Sequence, residues 1–279
     1  MKLGTVRREG STTAFSSIAG ETRYHDALDV LDLVGRDGWS HDDGTAGPEP
    51  DPAELAPPVL SPRKIICVGL NYTDHAREVG KEAPAVPTLF AKVATTLVGA
   101  REPLEMPDVS TRVDWEAELA IVIGREIRNA SAEEAQAAIL GYSVLNDLSI
   151  RDWQNRTSEW FQGKNFDRTC PFGPVVVTPD ELDLASGLAV TCTVNGEVMQ
   201  AGTTADMIFS PVDIVVYITQ FLTLQPGDVI ATGTPAGVGF TRKPPVFLVP
   251  GDTLTTSIEG IGELRNDCTA AETLVGGTV

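Results

Sequence analysis

A mostly β protein, a roll or sandwich with a few helices at its periphery (an α+β arrangement), is what this sequence predicts. Three observations carry the expectation. Short runs rich in β-branched and aliphatic residues recur along the chain, helical periodicity is confined to a few segments, and the two do not alternate as a doubly wound parallel sheet requires.

Two β-like stretches, near Leu3 to Val6 and Thr13 to Ile18, precede a small helical pattern made by Ala27, Leu28, Val30, Leu31 and Leu33. The composition then changes. Between Asp42 and Pro58 stand Asp-Asp-Gly, Gly-Pro-Glu-Pro-Asp-Pro and Pro-Pro, whose missing amide donors and fixed φ angles forbid a helix. This stretch reads as a linker, so residues 1–58 are expected as a small amino-terminal unit and 59–279 as a larger domain. Beyond the boundary, strands are expected at residues 64–68, 119–123, 175–178, 188–194, 229–232 and 253–258. Helical patterns lie at 131–140, where Ser131 and Glu134 suit a capping box, and at 211–221, where Pro211 suits the first turn. Pro226-Gly227-Asp228 and Pro250-Gly251-Asp252 each read as a turn ahead of a strand.

With 279 residues the chain can bury a sizeable core, and 42% hydrophobic with 22% charged residues is an ordinary globular balance. A net charge of −18 argues against nucleic acid or an anionic membrane as partner, since both need a basic footprint. No apolar run reaches the length of a bilayer span, and the start shows no hydrophobic secretory core, so a cytoplasmic address is expected. Cys67, Cys170, Cys192 and Cys268 are scattered without metal-ligand spacing, and reduced, buried thiols are expected.

The chemistry centres on three acids. In Asp114-Trp115-Glu116-Ala117-Glu118-Leu119, side chains two apart on a strand share a face, so Glu116 and Glu118 converge while Trp115, Leu119, Ile121 and Ile123 turn to a core. Asp147 comes later, in Val144-Leu145-Asn146-Asp147. Like charges so close stay ionised together only around a cation, and an all-oxygen donor set suits magnesium, manganese or calcium better than zinc.

Downstream of the Ile65 to Val68 strand, Gly69-Leu70-Asn71 leads into a short helix on which His75 and Glu78 share a face. A carboxylate on one imidazole nitrogen makes the other a better base, with water as the nucleophile. Arg151 and Gln154, three apart, would project together to offer a guanidinium for a carboxylate and an amide donor for an oxyanion. Lys164, between Gly163 and Asn165, is read as a loop ammonium aimed at developing negative charge. Thr234 lies in the glycine-rich turn Thr232-Gly233-Thr234-Pro235, which lacks the Gly-Lys-Ser/Thr ending of a phosphate loop but has backbone amides for a small carboxylate. His25 and His41 read as surface histidines, and Asp152, Asp167 and Arg168 as salt-bridge partners without a catalytic task.

Taken in order, these segments resemble the fumarylacetoacetate hydrolase family, in particular its shorter bacterial and acylpyruvase-like members. The resemblance spans residues 56 to 268 and rests on Val68-Gly69-Leu70-Asn71-Tyr72 with His75 and Glu78, Glu116-Ala117-Glu118, Asn146-Asp147 with Arg151-Asp152, Gly163-Lys164, the run from Leu224 to Pro235, and Gly260-Ile261-Gly262. It implies a mixed β-sandwich roll, a homodimer, and Mg²⁺ or Mn²⁺ (Ca²⁺ in a crystal) on Glu116, Glu118 and Asp147. It further implies a His75–Glu78 dyad on a lid, with Arg151, Gln154, Lys164 and Thr234 contacting a small keto-acid substrate. The activity it implies is hydrolysis of the carbon–carbon bond of a 2,4-diketo acid through a metal-bound pyruvate enolate. The alternatives are decarboxylation of an oxaloacetate-like acid or isomerisation of a 2-hydroxy-dienoate at the same metal site. Where the family often has Phe-x-Lys-Pro, this chain has Phe90-Ala91-Lys92-Val93, a departure in the pocket wall.

Overall fold

The apolar runs pair edge to edge into two main sheets. A computed structural model describes residues 1–271. Its early strands are β1 (Lys2–Arg8), β2 (Ser11–Ile18), β3 (Glu21–Tyr24), β4 (Thr45–Gly47), β5 (Leu55–Ala56), β6 (Ile65–Gly69), β7 (Thr88–Lys92), β8 (Leu97–Val98), β9 (Leu104–Met106) and β10 (Val113–Asp114). The later strands are β11 (Ala117–Ile123), β12 (Ile139–Asn146), β13 (Ser149–Ile150), β14 (Cys170–Val177), β15 (Ala189–Val194), β16 (Glu197–Thr203), β17 (Val229–Ala231), β18 (Thr253–Ile258) and β19 (Gly262–Ala270). The helices are short: α1 (Val30–Val34), α2 (Thr73–Glu78), α3 (Ala132–Ala138), α4 (Arg151–Gln154), α5 (Phe161–Lys164) and α6 (Pro211–Thr219).

Twelve strands form the main sheet, in the order β4-β3-β2-β1-β14-β12-β11-β17-β6-β7, with β5 on β1 and β8 on β14. Five form the second, β16-β15-β18-β19-β9. Strand β11 shows why its sequence is apolar at every position after Glu118. Leu119, Ile121 and Ile123 join a core shared with Val190, Leu254 and Leu264 of the second sheet, while Ala120 and Val122 join another with Ile65, Leu145 and Val30. A strand covered on both faces needs apolar side chains on both, so its residues form a continuous apolar run. All four cysteines are free and buried, as expected.

Helix ends obey their capping chemistry. Ser131 Oγ accepts from Glu134 N–H while Glu134 Oε2 accepts from Ser131 N–H, closing the box at the start of α3. Ser210 and Asp213 do the same for α6, with Pro211 in the first turn. Among the described residues no helix is long and apolar enough to cross a membrane.

The proline-rich stretch from Asp42 to Pro58 is not a free linker. Its prolines keep it out of a helix, but they are tolerated at sheet margins, and here β4 pairs with β3 and β5 with β1. The Pro58 carbonyl accepts from Thr5 Oγ1 (2.8 Å) and Val30 N–H (3.0 Å). Strand β1 in turn pairs Lys2 with Val177 and Leu3 with Val176 of β14, so the amino-terminal strands extend the main sheet. His25 and His41 are likewise not plain surface histidines. His25 Nε2 and His41 Nδ1 each lie 2.7 Å from the buried Ser16 Oγ, and burial, with His41 adding repulsion, pushes the His25 pKa down.

Candidate active site

The end of β11 lies beside the end of β12, and their registry brings the acids together. Ala117 faces Asn146 and Glu118 faces Leu145 across the ladder. Asp147 N–H donates to the Glu116 carbonyl at 2.9 Å, and Asn146 Oδ1 accepts from Glu116 N–H at 3.0 Å. One oxygen each of Glu116, Glu118 and Asp147 then lies within 4.8 Å of the others, and all three residues are buried. Glu118 Oε2 accepts from Gly233 N–H at 2.7 Å. Only glycine suits that turn: its φ is +96°, and a Cβ would lie 2.8 Å from Asn71 Cβ and 2.9 Å from the Val68 carbonyl.

Three buried cations balance the acids unevenly. Lys164 Nζ lies 2.6 Å from Glu116 Oε2 and 2.7 Å from Asp147 Oδ2. Lys92 Nζ lies 2.9 Å from Asp147 Oδ1, a second buried ion pair on the same carboxylate. Arg151 spans Asp114 (2.8 Å) and Glu116 (2.7 Å). Among the described residues no ion pair reaches Glu118.

This uneven balance sets the protonation directions. Burial alone would raise the Glu116 carboxyl, but the Lys164 and Arg151 cations outweigh it and hold it at about 2. Burial, with Asp147 and Glu116 adding repulsion, pushes Glu118 well above the carboxylate range. Burial works against the Lys164 ammonium too, yet Asp147 and Glu116 beside it raise its pKa. Four acids, counting Asp114, thus face three cations, and Glu118, the one without a cation beside it, is held in its protonated form. An oxygen-only trio with one uncompensated member fits a hard divalent cation, whose charge would favour the ionised form of Glu118.

The proton-transfer candidate His75 lines a cleft of about 350 Å³ that Glu116, Glu118, Arg151 and Lys164 also line. His75, buried on α2, has Nδ1 3.1 Å from Glu78 Oε2. Glu78 Oε1 accepts from Gly237 N–H and Thr241 Oγ1. Burial pushes this carboxyl up, but His75, Gly237 and Thr241 together hold it below its ordinary value, so it stays an anion. The charged acceptor favours the tautomer with Nδ1 protonated and leaves Nε2 as the base. Asn71 anchors the entry to α2 by donating to the Phe209 and Thr232 carbonyls and accepting from Phe209 N–H. Leu70 before it adopts φ +58°, the left-handed strain of a turn that re-aims the chain.

Several residues are used differently from what their spacing suggests. Lys164 closes α5 and is not in a loop; the glycine before it is required because a Cβ on Gly163 would sit 2.4 Å from Gln154 N. Arg151 is largely engaged by Asp114 and Glu116, with only Nη2 unpartnered. Gln154 lends Oε1 to Arg151 Nη1 at 2.9 Å, which leaves its amide as the free donor. Thr234 Oγ1 accepts from Gln200 Nε2 at 2.7 Å, so its own hydrogen is available to a ligand. Asp152 accepts from Ser110 instead of forming an ion pair, whereas Arg168 pairs with Glu105. Lys92, Asp114 and Gln200 join the site without a task that their sequence neighbours assign. The signal for Asp114 is its place beside Trp115-Glu116; for Lys92 it is a lone cation among apolar residues.

A family model described as fumarylacetoacetate (FAA) hydrolase C-terminal matches residues 64–269. A mitochondrial oxaloacetate tautomerase of Homo sapiens is 46% identical over 211 residues, which is 75% of this chain and 67% of that protein. A Xenopus laevis protein of the same description is 44% identical over 214 residues, 76% of this chain and 67% of that one. Among solved structures, a fumarylacetoacetate hydrolase from psychrophilic Exiguobacterium antarcticum superposes with a TM-score of 0.88 at 39% identity, covering 97% of this chain and 99% of that one. A 5-carboxymethyl-2-hydroxymuconate delta-isomerase from Mycobacterium smegmatis gives 0.79 at 34% identity, covering 98% and 100%.

Proposed function

The chain belongs to the fumarylacetoacetate hydrolase family, and from that premise we propose that it interconverts the enol and keto forms of a 2-oxo dicarboxylic acid of the oxaloacetate type. The observation that carries the reading is that His75, 3.1 Å from Glu78, lines the same cleft as Glu116 and Glu118 of an acid trio suited to Mg²⁺ or Mn²⁺. Relatives at 44–46% identity are named oxaloacetate tautomerases, and a proton carrier beside a charge sink is all that such a reaction requires.

Glu116, Glu118 and Asp147 would hold the divalent ion, whose chemistry is to neutralise the anionic acid and polarise its 2-oxo group. The chain's own residues do the rest. His75 Nε2 takes a proton from C3, and Glu78 stabilises the imidazolium that results. The electron pair of the broken C–H bond forms the C2=C3 double bond as the carbonyl π pair moves onto the 2-oxo oxygen, where the Lys164 ammonium offsets the charge. Return of the proton from the His75 imidazolium to that oxygen gives the enol and restores the neutral imidazole, and the reverse sequence gives the keto acid. The free hydrogen of Thr234 and the free amide of Gln154 are the donors that orient the carboxylate.

Hydrolysis of a 2,4-diketo acid is the second reading. It is favoured by the likeness to the Exiguobacterium antarcticum hydrolase and by a cleft roomier than a four-carbon acid requires. There His75 would deprotonate water against the C4 carbonyl, a nucleophile the first reaction does not need. The purified chain with Mg²⁺ should be given enol-oxaloacetate and an acylpyruvate, monitoring loss of enol absorbance and release of pyruvate. Rapid ketonisation that stops on chelation, with little pyruvate from the acylpyruvate, is the expected result. A higher kcat/KM for pyruvate release replaces the first reading with the second.

A further inference from the structure

We infer that Lys81 reads the far carboxylate of the substrate, so that the cleft prefers 2-oxo dicarboxylates to 2-oxo monocarboxylates; this rests on the reading above and names the residue behind its specificity. Four basic side chains line the cleft: His75, Lys81, Arg151 and Lys164. Arg151 is engaged by Asp114 and Glu116, Lys164 by Glu116 and Asp147, and His75 by Glu78. Lys81 alone of the four is exposed, and its ammonium has no carboxylate or other side-chain partner among the described residues. On a chain with 39 acidic and 21 basic residues, an uncommitted lysine at the rim of an anion-binding cleft is a vacant acceptor for negative charge.

What separates the two ends matters as much. The apolar part of the lining is Val68, Leu70, Val79, Phe90, Trp160 and Phe240, with Phe90 and Trp160 edge to face at 5.4 Å. A diacid, charged at both ends with carbon between, suits a cleft that combines buried cations, apolar side chains and one exposed, unpartnered ammonium. A monoacid leaves Lys81 unused.

The backbone of Lys81 is held in place. Lys81 N–H donates to the Ala76 carbonyl at 2.8 Å and Gly80 N–H to the Arg77 carbonyl at 3.0 Å, the paired bonds that end a helix in a Schellman turn, with Gly80 at φ +71°. The helix so ended carries His75. A far carboxylate held by Lys81 is thereby tied to the element that presents the base, and the carboxylate at the floor fixes the other end.

The test compares enol-oxaloacetate with enol-phenylpyruvate, which lacks the far carboxylate, in the wild type, Lys81→Gln and Lys81→Arg. For a charge-assisted contact at a solvated rim we expect about a tenfold rise in KM for oxaloacetate in Lys81→Gln, kcat within about twofold, no rise for phenylpyruvate, and recovery in Lys81→Arg. Calorimetry on the Mg²⁺-loaded chain with 2-oxoglutarate and 2-oxobutyrate reads the same preference without turnover. The wild type should favour the diacid and Lys81→Gln should lose that preference. Equal binding of the two acids by the wild type, or a preference that survives in Lys81→Gln, overturns the inference. Failure of the wild type to ketonise either enol instead overturns the proposed reaction, and the calorimetry still judges Lys81.

Discussion

The floor of the cleft and the helix above it are held by different means. Glu116, Glu118 and Asp147 sit at the ends of β11 and β12, central strands whose backbone ladders and two flanking cores leave no room for adjustment. Helix α2 has six residues and is attached largely through polar side chains: Asp74 Oδ2 accepts from Ala236 N–H, Glu78 from Gly237 and Thr241, and Asn71 secures its entry. A charge cluster must not relax, because relaxation would separate its ions, so it is built on ladders. A proton carrier must meet and leave its substrate, and a few side-chain bonds of modest strength permit that.

The sharpest way to break this contrast is Asp147→Ala. It strips Lys92 and Lys164 of a shared buried counter-ion and should cost about 3–5 kcal/mol of stability, because two ammonium groups are left short of charge in the interior. Denaturant unfolding measures it. A loss below about 1 kcal/mol, the range of exposed ion pairs, would mean that water reaches the floor and that the rigid half of the comparison is wrong.

His75→Ala should behave in the opposite sense. We expect kcat to fall by about 10²–10⁴ while metal affinity and the unfolding midpoint stay near wild type, since the imidazole belongs to α2 and makes no bond to the floor. Steady-state kinetics beside a Mg²⁺ titration separate the two effects. A large loss of metal binding would place His75 in the rigid half.

Glu78→Gln comes next. The amide keeps one acceptor but sets its NH₂ toward donors, so a charged hydrogen bond worth about 1.5–3 kcal/mol is lost and kcat should drop about ten- to hundredfold. Its pH dependence is set by the depressed folded-state pKa. The contribution of Glu78 to docking α2 is complete above the ordinary carboxylate value of 4.5 and is lost only as pH falls through the lower folded value. Hydrogen exchange in α2, corrected for intrinsic rates, should therefore stay flat from neutral pH to about 4.5 and rise below it. A rise that begins near pH 6 would point to another group.

The same division explains what can be read from the residues alone. Glu116 with Glu118 and His75 with Glu78 are legible because each pair depends on one local period, two along a strand or three along a helix, whereas Asp147 reaches the acids through the pairing of β11 with β12. Lys92, Asp114 and Gln200 take their tasks from long-range pairings, 72 residues between Lys92 and the Lys164 carbonyl and 83 between Gln200 and Ala117, so a local cue can mark Lys92 or Asp114 but does not name the partner. The proline stretch misleads for a related reason. Proline reports that a helix is forbidden, not whether the extended chain finds a strand beside it, as Leu55 and Ala56 do on β1.

The smallest expected effect sharpens the comparison most finely. Gly80→Ala places no atom in contact with anything within 4 Å, so its whole consequence comes from forcing alanine to φ +71°. That strain is worth about 1 kcal/mol and falls on the turn that ends α2, not on any ladder. Global unfolding should barely change, because α2 opens at less cost than the sheets and the penalty is felt mainly in that local step. Amides of α2 should exchange about fivefold faster, which is the factor that about 1 kcal/mol commands, while those of β11 and β12 keep their rates. Equal acceleration in β11 would mean that helix and floor open as one unit, and that His75 and the acid trio share a single rigid frame.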